Sequence, residues 1–313
     1  MKQMNTRSMV EGALLAAITI IISLFSLYVP VLGVFASLIW PVPIVILGIR
    51  HGTKTSILAT VVAGIVVAML EGPMQAFTVI LGFGLIGIVM GWAIRKEYPP
   101  FRVLTLGGLA SLVSKAILIL ISIYIMGLNP LTEELSAMRE SLSLMQNMYK
   151  GMGVSPDTMK SIIGNFEKVL DLMALALPGI LVLASLMDAF LNYQVTKAIL
   201  SRLGQKIQGF TPFWLWNFPP YTVFMFLLGV LLTMLETYWP VGILKPLGLN
   251  LQIVFYFVFL IQGFSLIAFY MGKFNVAKIL RVFVVLLVFF NPFISQIVIW
   301  AGMFDILFNF RHI

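Results

Sequence analysis

Of the 313 residues, 60% are apolar and only 10% are charged. A soluble domain carries about 25% charged residues, so a water-soluble fold is excluded. With no cysteine and only His51 and His312, a disulfide framework and a thiolate metal centre are excluded, and neither a metal nor another cofactor is expected.

Apolar runs long enough to cross a bilayer fall at 10–28, 32–49, 54–70, 75–94, 103–126, 173–196, 220–238, 250–271 and 280–303. They predict an all-α polytopic transmembrane helical bundle of eight or nine spans. The start, MKQMNTR before an apolar run, mimics a secretory signal. The run lacks a small-x-small cleavage site and a second apolar segment follows almost at once, so a retained first span is expected. Within it, Ala13 and Ala17 stand four apart on one face. Such a small-xxx-small pattern lets another helix approach closely, inside the bundle or in a partner. Glu71 closes span three at its outer end and is, after Asp188, the next candidate acid for a charge pair or substrate site with Lys115, although its place is shallow.

Span four contains Gly82-Phe-Gly84-Leu-Ile-Gly87, a formal match to the dinucleotide fingerprint GxGxxG. It follows no strand and opens no βαβ unit, so close helix packing by Gly84, Gly87 and Gly91 is the expected use. Span five holds one ionisable side chain, Lys115, near its middle. Insertion scales put a central lysine at roughly 2.5–3.5 kcal/mol unfavourable. Gly108, Ser111 and Ser122 fall on nearly the same face, so this stripe is expected to face protein.

The long loop, 127–172, is expected to form an amphipathic helical hairpin on the outer side. Asn129-Pro130 supplies a cap and a proline for the first helical position, with Glu133 and Glu134 in the first turn. Apolar residues recur from Leu131 to Tyr149 in steps of four and three, and Lys150-Gly151 closes the helix. Ser155-Pro156-Asp157 opens a second helix that runs towards span six. The hairpin either lies on the membrane surface or covers an outward-facing cavity.

Span six ends with Asp188, Asn192 and Gln194. Asp188 lies nine residues before Lys197, and Lys115 thirteen after Arg102. The depths differ by about 6 Å at helical rise, which a lysine stem bridges. A Lys115–Asp188 pair is expected, either to stabilise the fold or to serve a substrate site. Gln262, inside span 250–271, is a further polar candidate for such a site.

Between 198 and 219 the run Phe210-Thr-Pro-Phe-Trp214-Leu-Trp216-Asn-Phe-Pro-Pro-Tyr221 reads as an interfacial belt whose prolines forbid a continuous helix. It marks a seam between a six-span unit, 1–197, and a unit of about three spans, 198–313. Asn291-Pro292 interrupts the last span, which is either one kinked helix or a re-entrant pair. Asp188-Ala-Phe-Leu-Asn192-Tyr193-Gln194 has an echo in Asp305-Ile-Leu-Phe-Asn309-Phe310-Arg311.

With the amino terminus inside, 13 basic residues fall on inner segments and 6 on outer ones. That asymmetry predicts a cytoplasmic amino terminus and a multi-pass protein of the plasma membrane, and it accounts for the +8 net charge without nucleic acid.

Residues 1 to about 197 resemble the substrate-binding S components of energy-coupling factor (ECF) transporters, with six spans, an inside amino terminus and the run Ala13-Leu-Leu-Ala-Ala17. In that family such an AxxxA face docks onto the transmembrane coupling subunit. The resemblance thus implies a coupling subunit and ATPases as partners. The whole chain resembles the YybS-like membrane proteins of Gram-positive bacteria, through the ending Asp305-x-x-Phe308-Asn309-Phe310-Arg311. Two functions are expected from this reading. One is a component of a small-solute transporter, powered by a separate ATPase because GxxxxGK[ST] does not occur in the chain. The other is a scaffold that binds another membrane protein through Ala13, Ala17 and the glycine faces. No His/Glu metal motif and no Ser-His pairing points to an enzyme.

The charge asymmetry predicts that cysteines introduced at Ser143 and Gly153 react with an impermeant thiol reagent on intact cells. Protection of both until the cells are permeabilised would reverse the topology.

Overall fold

The computed structural model describes residues 6–29, 31–151 and 155–311. Gly153 and His312 lie outside the described residues. Among those residues the fold is all-helical, with eight helices long and apolar enough to cross a bilayer and one bent pair that makes a ninth if it is a single span. The chain forms two compact units, Met1–Ser136 with Leu181–Gly209, and Ala137–Ile180 with Phe210–Ile313. The division after Gly209 falls inside the Pro- and Trp-rich stretch 198–219. The hairpin residues from Ala137 on group with the carboxyl-terminal spans.

The first unit contains α1 (Thr6–Tyr28), α2 (Leu32–Leu38), α3 (Val42–His51), α4 (Thr53–Glu71), α5 (Pro73–Phe77), α6 (Leu85–Arg95) and α7 (Pro100–Met126). It also takes the carboxyl-terminal part of a 47-residue helix, α9 (Pro156–Arg202). The expected span 32–49 is present as the apolar run Leu32–His51, one of the eight, but its helix is interrupted between α2 and α3. Pro41 is the reason: it disfavours helical backbone at Trp40, and its fixed φ suits the start of a new helix. From Val42 to Ile49 every side chain of α3 is buried, so this short helix is the centre of the unit.

A seven-residue π-helical segment, Thr78–Gly84, joins α5 to α6. Gly87 meets Ile44, and Gly91 lies against the Val45 carbonyl and the Cα of Gly48, all on α3. Gly84 instead faces Thr60 of α4. The expected single glycine face therefore serves two neighbours, α3 at Gly87 and Gly91 and α4 at Gly84.

The second unit is built on α11 (Leu244–Lys273), packed against α10 (Tyr221–Tyr238) and α13 (Pro292–Phe308). Both crossings are glycine pairs. A Cβ on Gly248 would lie 2.6 Å from the Gly229 carbonyl oxygen, and one on Gly302 would meet the Phe259 carbonyl and Gly263. Phe226, Phe259, Met303 and Ile306 fill the core between them.

α8 (Pro130–Gly151) starts at the expected cap, where Leu131 N–H donates to Asn129 Oδ1 at 3.1 Å. The second hairpin helix and span six are one helix, α9, despite Pro178 in its interior. Asn250 of α11 explains how. Its amide accepts from Gly179 N–H and donates to the Leu175 carbonyl at 2.8 Å, the two backbone groups that a straight helix pairs with each other.

α12 (Lys278–Phe290) and α13 meet at 103°, so 280–303 is not one straight span. Pro292 cannot donate into α12, and Asn291 Oδ1 caps the new helix by accepting from Phe293 N–H at 3.0 Å and Ile294 N–H at 3.2 Å.

Two glycines of α11 provide a paired test of the crossings. A Cβ on Gly263 would collide with the Val298 carbonyl, whereas Gly272 has nothing within 4 Å. Gly263→Ala is expected to destabilise by about 1–3 kcal/mol. Gly272→Ala is expected to be neutral or slightly stabilising. Equal melting temperatures for the two variants would contradict the close crossing.

Candidate functional site

α7 turns a row of small and polar side chains inward. Gly107, Gly108, Ser111 and Ser114 are buried, while the lipid-type residues Leu109, Val113 and Leu120 are exposed. The two glycines set the spacing to α9. A Cβ on Gly107 would lie 3.1 Å from Ala189 Cβ, and one on Gly108 would lie 2.8 Å from a Leu186 methyl group. That approach brings Asp188 within reach of α7.

Lys115 Nζ donates to Asp188 Oδ2 and, at 2.6 Å, to Ser111 Oγ. Ser111 in turn donates to Asp188 Oδ2 at 2.9 Å. The three groups form a closed triangle about halfway along α7, roughly 20 Å from either end of the helix at 1.5 Å per residue. The triangle is open on one side, since 28% of the Lys115 side chain and 22% of that of Asp188 remain accessible.

One turn further along α9, Asn192 donates to the Leu38 carbonyl at 3.0 Å and to the Asp188 carbonyl at 2.7 Å. Its Oδ1, together with Ser114 Oγ and Thr196 Oγ1, is buried without a protein partner. A polar track therefore runs along α9 from Asp188 through Asn192 to Thr196. Among the described residues no three His, Asp or Glu side chains converge as a metal ligand set.

The other residues singled out from the sequence lie elsewhere. Glu71 ends α4 and accepts from Tyr28 Oη at 2.7 Å, so it takes no part in the Lys115 pair. Gln262 belongs to the second unit and is fully buried. It donates to Asp305 Oδ2 at 2.6 Å and to Asn217 Oδ1 at 3.1 Å, and accepts from Phe218 N–H at 3.1 Å. Ala13 and Ala17 face outward on α1. The small row that packs inside the unit is Gly12 and Ala16, against Thr55 and Ala59 of α4.

Two ionic clusters were not anticipated. Glu11 of α1 is bridged by Arg50 and His51 at the end of α3. Their signal was an acid at the start of span one and two basic groups at the matching end of span two. In the second unit Arg311 pairs with Asp305 at 2.8 Å, each side chain 1% exposed. Arg311 also donates to the carbonyls of Trp214 at 2.7 Å and Trp216 at 2.8 Å, and to Ser265 Oγ at 2.9 Å. Asp305 and Arg311 carried a signal in the echo motif, but spacing alone did not show that the second closes onto the first.

The chain matches the family described as predicted membrane protein (DUF2232) over residues 17–306. It is 30% identical to the uncharacterized protein YybS of Bacillus subtilis (strain 168), across 100% of this chain and 99% of that protein. No solved structure matches it.

The triangle predicts coupling between its two charges. Lys115→Met or Asp188→Asn alone leaves an uncompensated charge in the bundle, so each should lower the melting temperature in detergent more than the double variant does. A double-mutant cycle is expected to give a coupling of about 0.5–3 kcal/mol. Strictly additive losses would mean that the two side chains act independently.

Proposed function

The chain belongs to the DUF2232 family of multi-pass membrane proteins, and from that premise we propose that it is a substrate-binding or accessory component of a small-solute transporter, not an enzyme. The observation that carries this reading is the open Lys115–Asp188 pair. It lies midway along its helix with 28% and 22% of its side chains accessible, against 1% and 1% at Asp305–Arg311. A pair that serves the fold alone is best closed to solvent and held by several hydrogen bonds, as the second one is, with Gln262, Ser265 and two backbone carbonyls around it even though Asp305 Oδ1 and Arg311 Nε find no partner. An open pair offers an ammonium group and a carboxylate to a small polar solute at a depth where water is scarce, and intramembrane charges mark such paths.

The chain carries no GxxxxGK[ST] loop, so this reading takes the energy from a separate ATPase complex. The resemblance to ECF S components supports a coupling subunit as the partner. The outward position of Ala13 and Ala17 on α1 is consistent with a docking face for it. The charge asymmetry supports an amino terminus in the cytoplasm, and this reading puts the protein in the plasma membrane. The same exposed face favours a second reading, a scaffold that binds another membrane protein and no solute.

Mass spectrometry of the protein purified from its native membrane in mild detergent separates these readings. A small polar molecule is expected to copurify with the natural protein and to be absent from the folded Lys115→Met/Asp188→Asn double variant. A membrane partner that is lost on Ala17→Leu, with no small molecule in any preparation, would replace transport by the scaffold reading.

A further inference from the structure

The end of the first unit where α3, α6 and α9 stop and α7 starts carries a cleft of about 420 Å³ that the transport reading does not use. Its lining combines Arg95, Glu97 and Tyr98 after α6 with Tyr193 and the segment Gln205–Gln208 after α9, over an apolar floor of Ile49, Ile94 and Ile207.

This cleft is organised around Arg95. Gly52, at φ +95°, leaves bare backbone beneath the guanidinium, where a Cβ would lie 3.0 Å from Nη1. Nη1 donates to the Ile49 carbonyl at 3.4 Å, near the negative end of α3. One of five guanidinium donors is thus used, and Arg95 is among the residues that line the cleft. Tyr193, 1% exposed, donates its hydroxyl to the Gln208 carbonyl and so fastens the rim that presents Gln205, Lys206 and Gln208.

The charge in the lining is Arg95 and Lys206 against Glu97. Arg102, stacked over the Tyr98 ring at 4.1 Å, adds a further cation at the edge. A cleft of that size with an Arg fork, a lysine, two amides and a phenol supplies many donors to one anion. The isoleucine floor suits the less polar part of the same molecule. Basic pockets between spanning helices take up phosphate-bearing headgroups in this way.

We infer that this cleft binds a phosphate ester, seated on Arg95 and Lys206, either as the headgroup of an anionic phospholipid or as a small soluble organic phosphate. The inference does not rest on the transport reading, since it involves neither Lys115 nor Asp188.

The test uses the full chain. Melting temperatures are measured in nanodiscs of phosphatidylcholine with and without phosphatidylglycerol, and in detergent titrated with glycerol 3-phosphate. At least one of the two probes should stabilise the protein. A shift with phosphatidylglycerol alone assigns the lipid source, and a shift with glycerol 3-phosphate alone assigns the soluble one. Arg95→Gln/Lys206→Gln should remove the shift, read against that variant's own melting temperature in pure phosphatidylcholine, which the loss of the Arg95 bond to the Ile49 carbonyl lowers slightly. Should that variant not fold, Lys206→Gln alone should weaken glycerol 3-phosphate binding, or the lipid shift, roughly tenfold in concentration. The control, Lys54→Gln/Lys96→Gln, removes two basic residues outside the cleft lining. No shift with either probe would overturn the inference. So would equal loss in the control, because the effect would then be general surface charge.

Discussion

Within a bilayer core no water is available to a stray N–H, C=O or charge, so each must find its partner inside the chain. That constraint explains the least regular places in this structure. Pro178 removes a donor from α9, and the Asn250 amide spans the neighbouring backbone pair. Pro292 ends α12, and the Asn291 side chain satisfies the first free N–H groups of α13. The strap after Pro212 makes only one 3-10 turn, Phe213–Leu215, and Arg311 and Ser265 gather its carbonyls at Phe213, Trp214 and Trp216. In every case the repair comes from a polar side chain that would be costly in lipid without this partner.

The same constraint is met with charges in two ways. Asp305 and Arg311 are removed from solvent and joined to Gln262, Ser265 and backbone carbonyls, which makes them a clamp for the second unit. Asp188 and Lys115 share one serine and remain partly accessible. A closed pair with many hydrogen bonds resists exchange of partners. An open pair with few permits it, and this difference sets the first unit's pair apart as the candidate site.

Much of the first unit was legible in the sequence because its signals are local. Span positions follow from hydropathy, the α8 cap from Asn129-Pro130, and the Lys115–Asp188 approach from counting residues from basic helix ends. What was not legible depends on partners distant in sequence. Nothing near Ala13 and Ala17 says which of two adjacent small rows turns inward; Thr55 and Ala59 decide it in favour of Gly12 and Ala16. The π-helical segment Thr78–Gly84 has no composition signal of its own, and nothing local says that Gly84 meets Thr60 of α4 while Gly87 and Gly91 meet α3. Gln262 looked like Lys115, a polar group inside an apolar span. Only the strap at Asn217 and Phe218 reveals it as a buried hub.

The echo between residues 188–194 and 305–311 shows how helix length converts similar motifs into different sites. Both aspartates accept from one cation and one neutral donor: Lys115 and Ser111 for the first, Arg311 and Gln262 for the second. The asparagines differ. Asn309 adopts left-handed backbone at φ 46° and ends α13, so the chain turns and Arg311 folds back onto an aspartate six residues earlier. Asn192 lies inside α9, which runs on to Arg202. The cation for Asp188 must therefore come from another helix, across a gap set by Gly107 and Gly108. A cation delivered by the local turn seals its pair beneath the strap. One delivered across a helix interface leaves a side of the pair uncovered, and the accessibility of Lys115 and Asp188 follows from where the helix does not end.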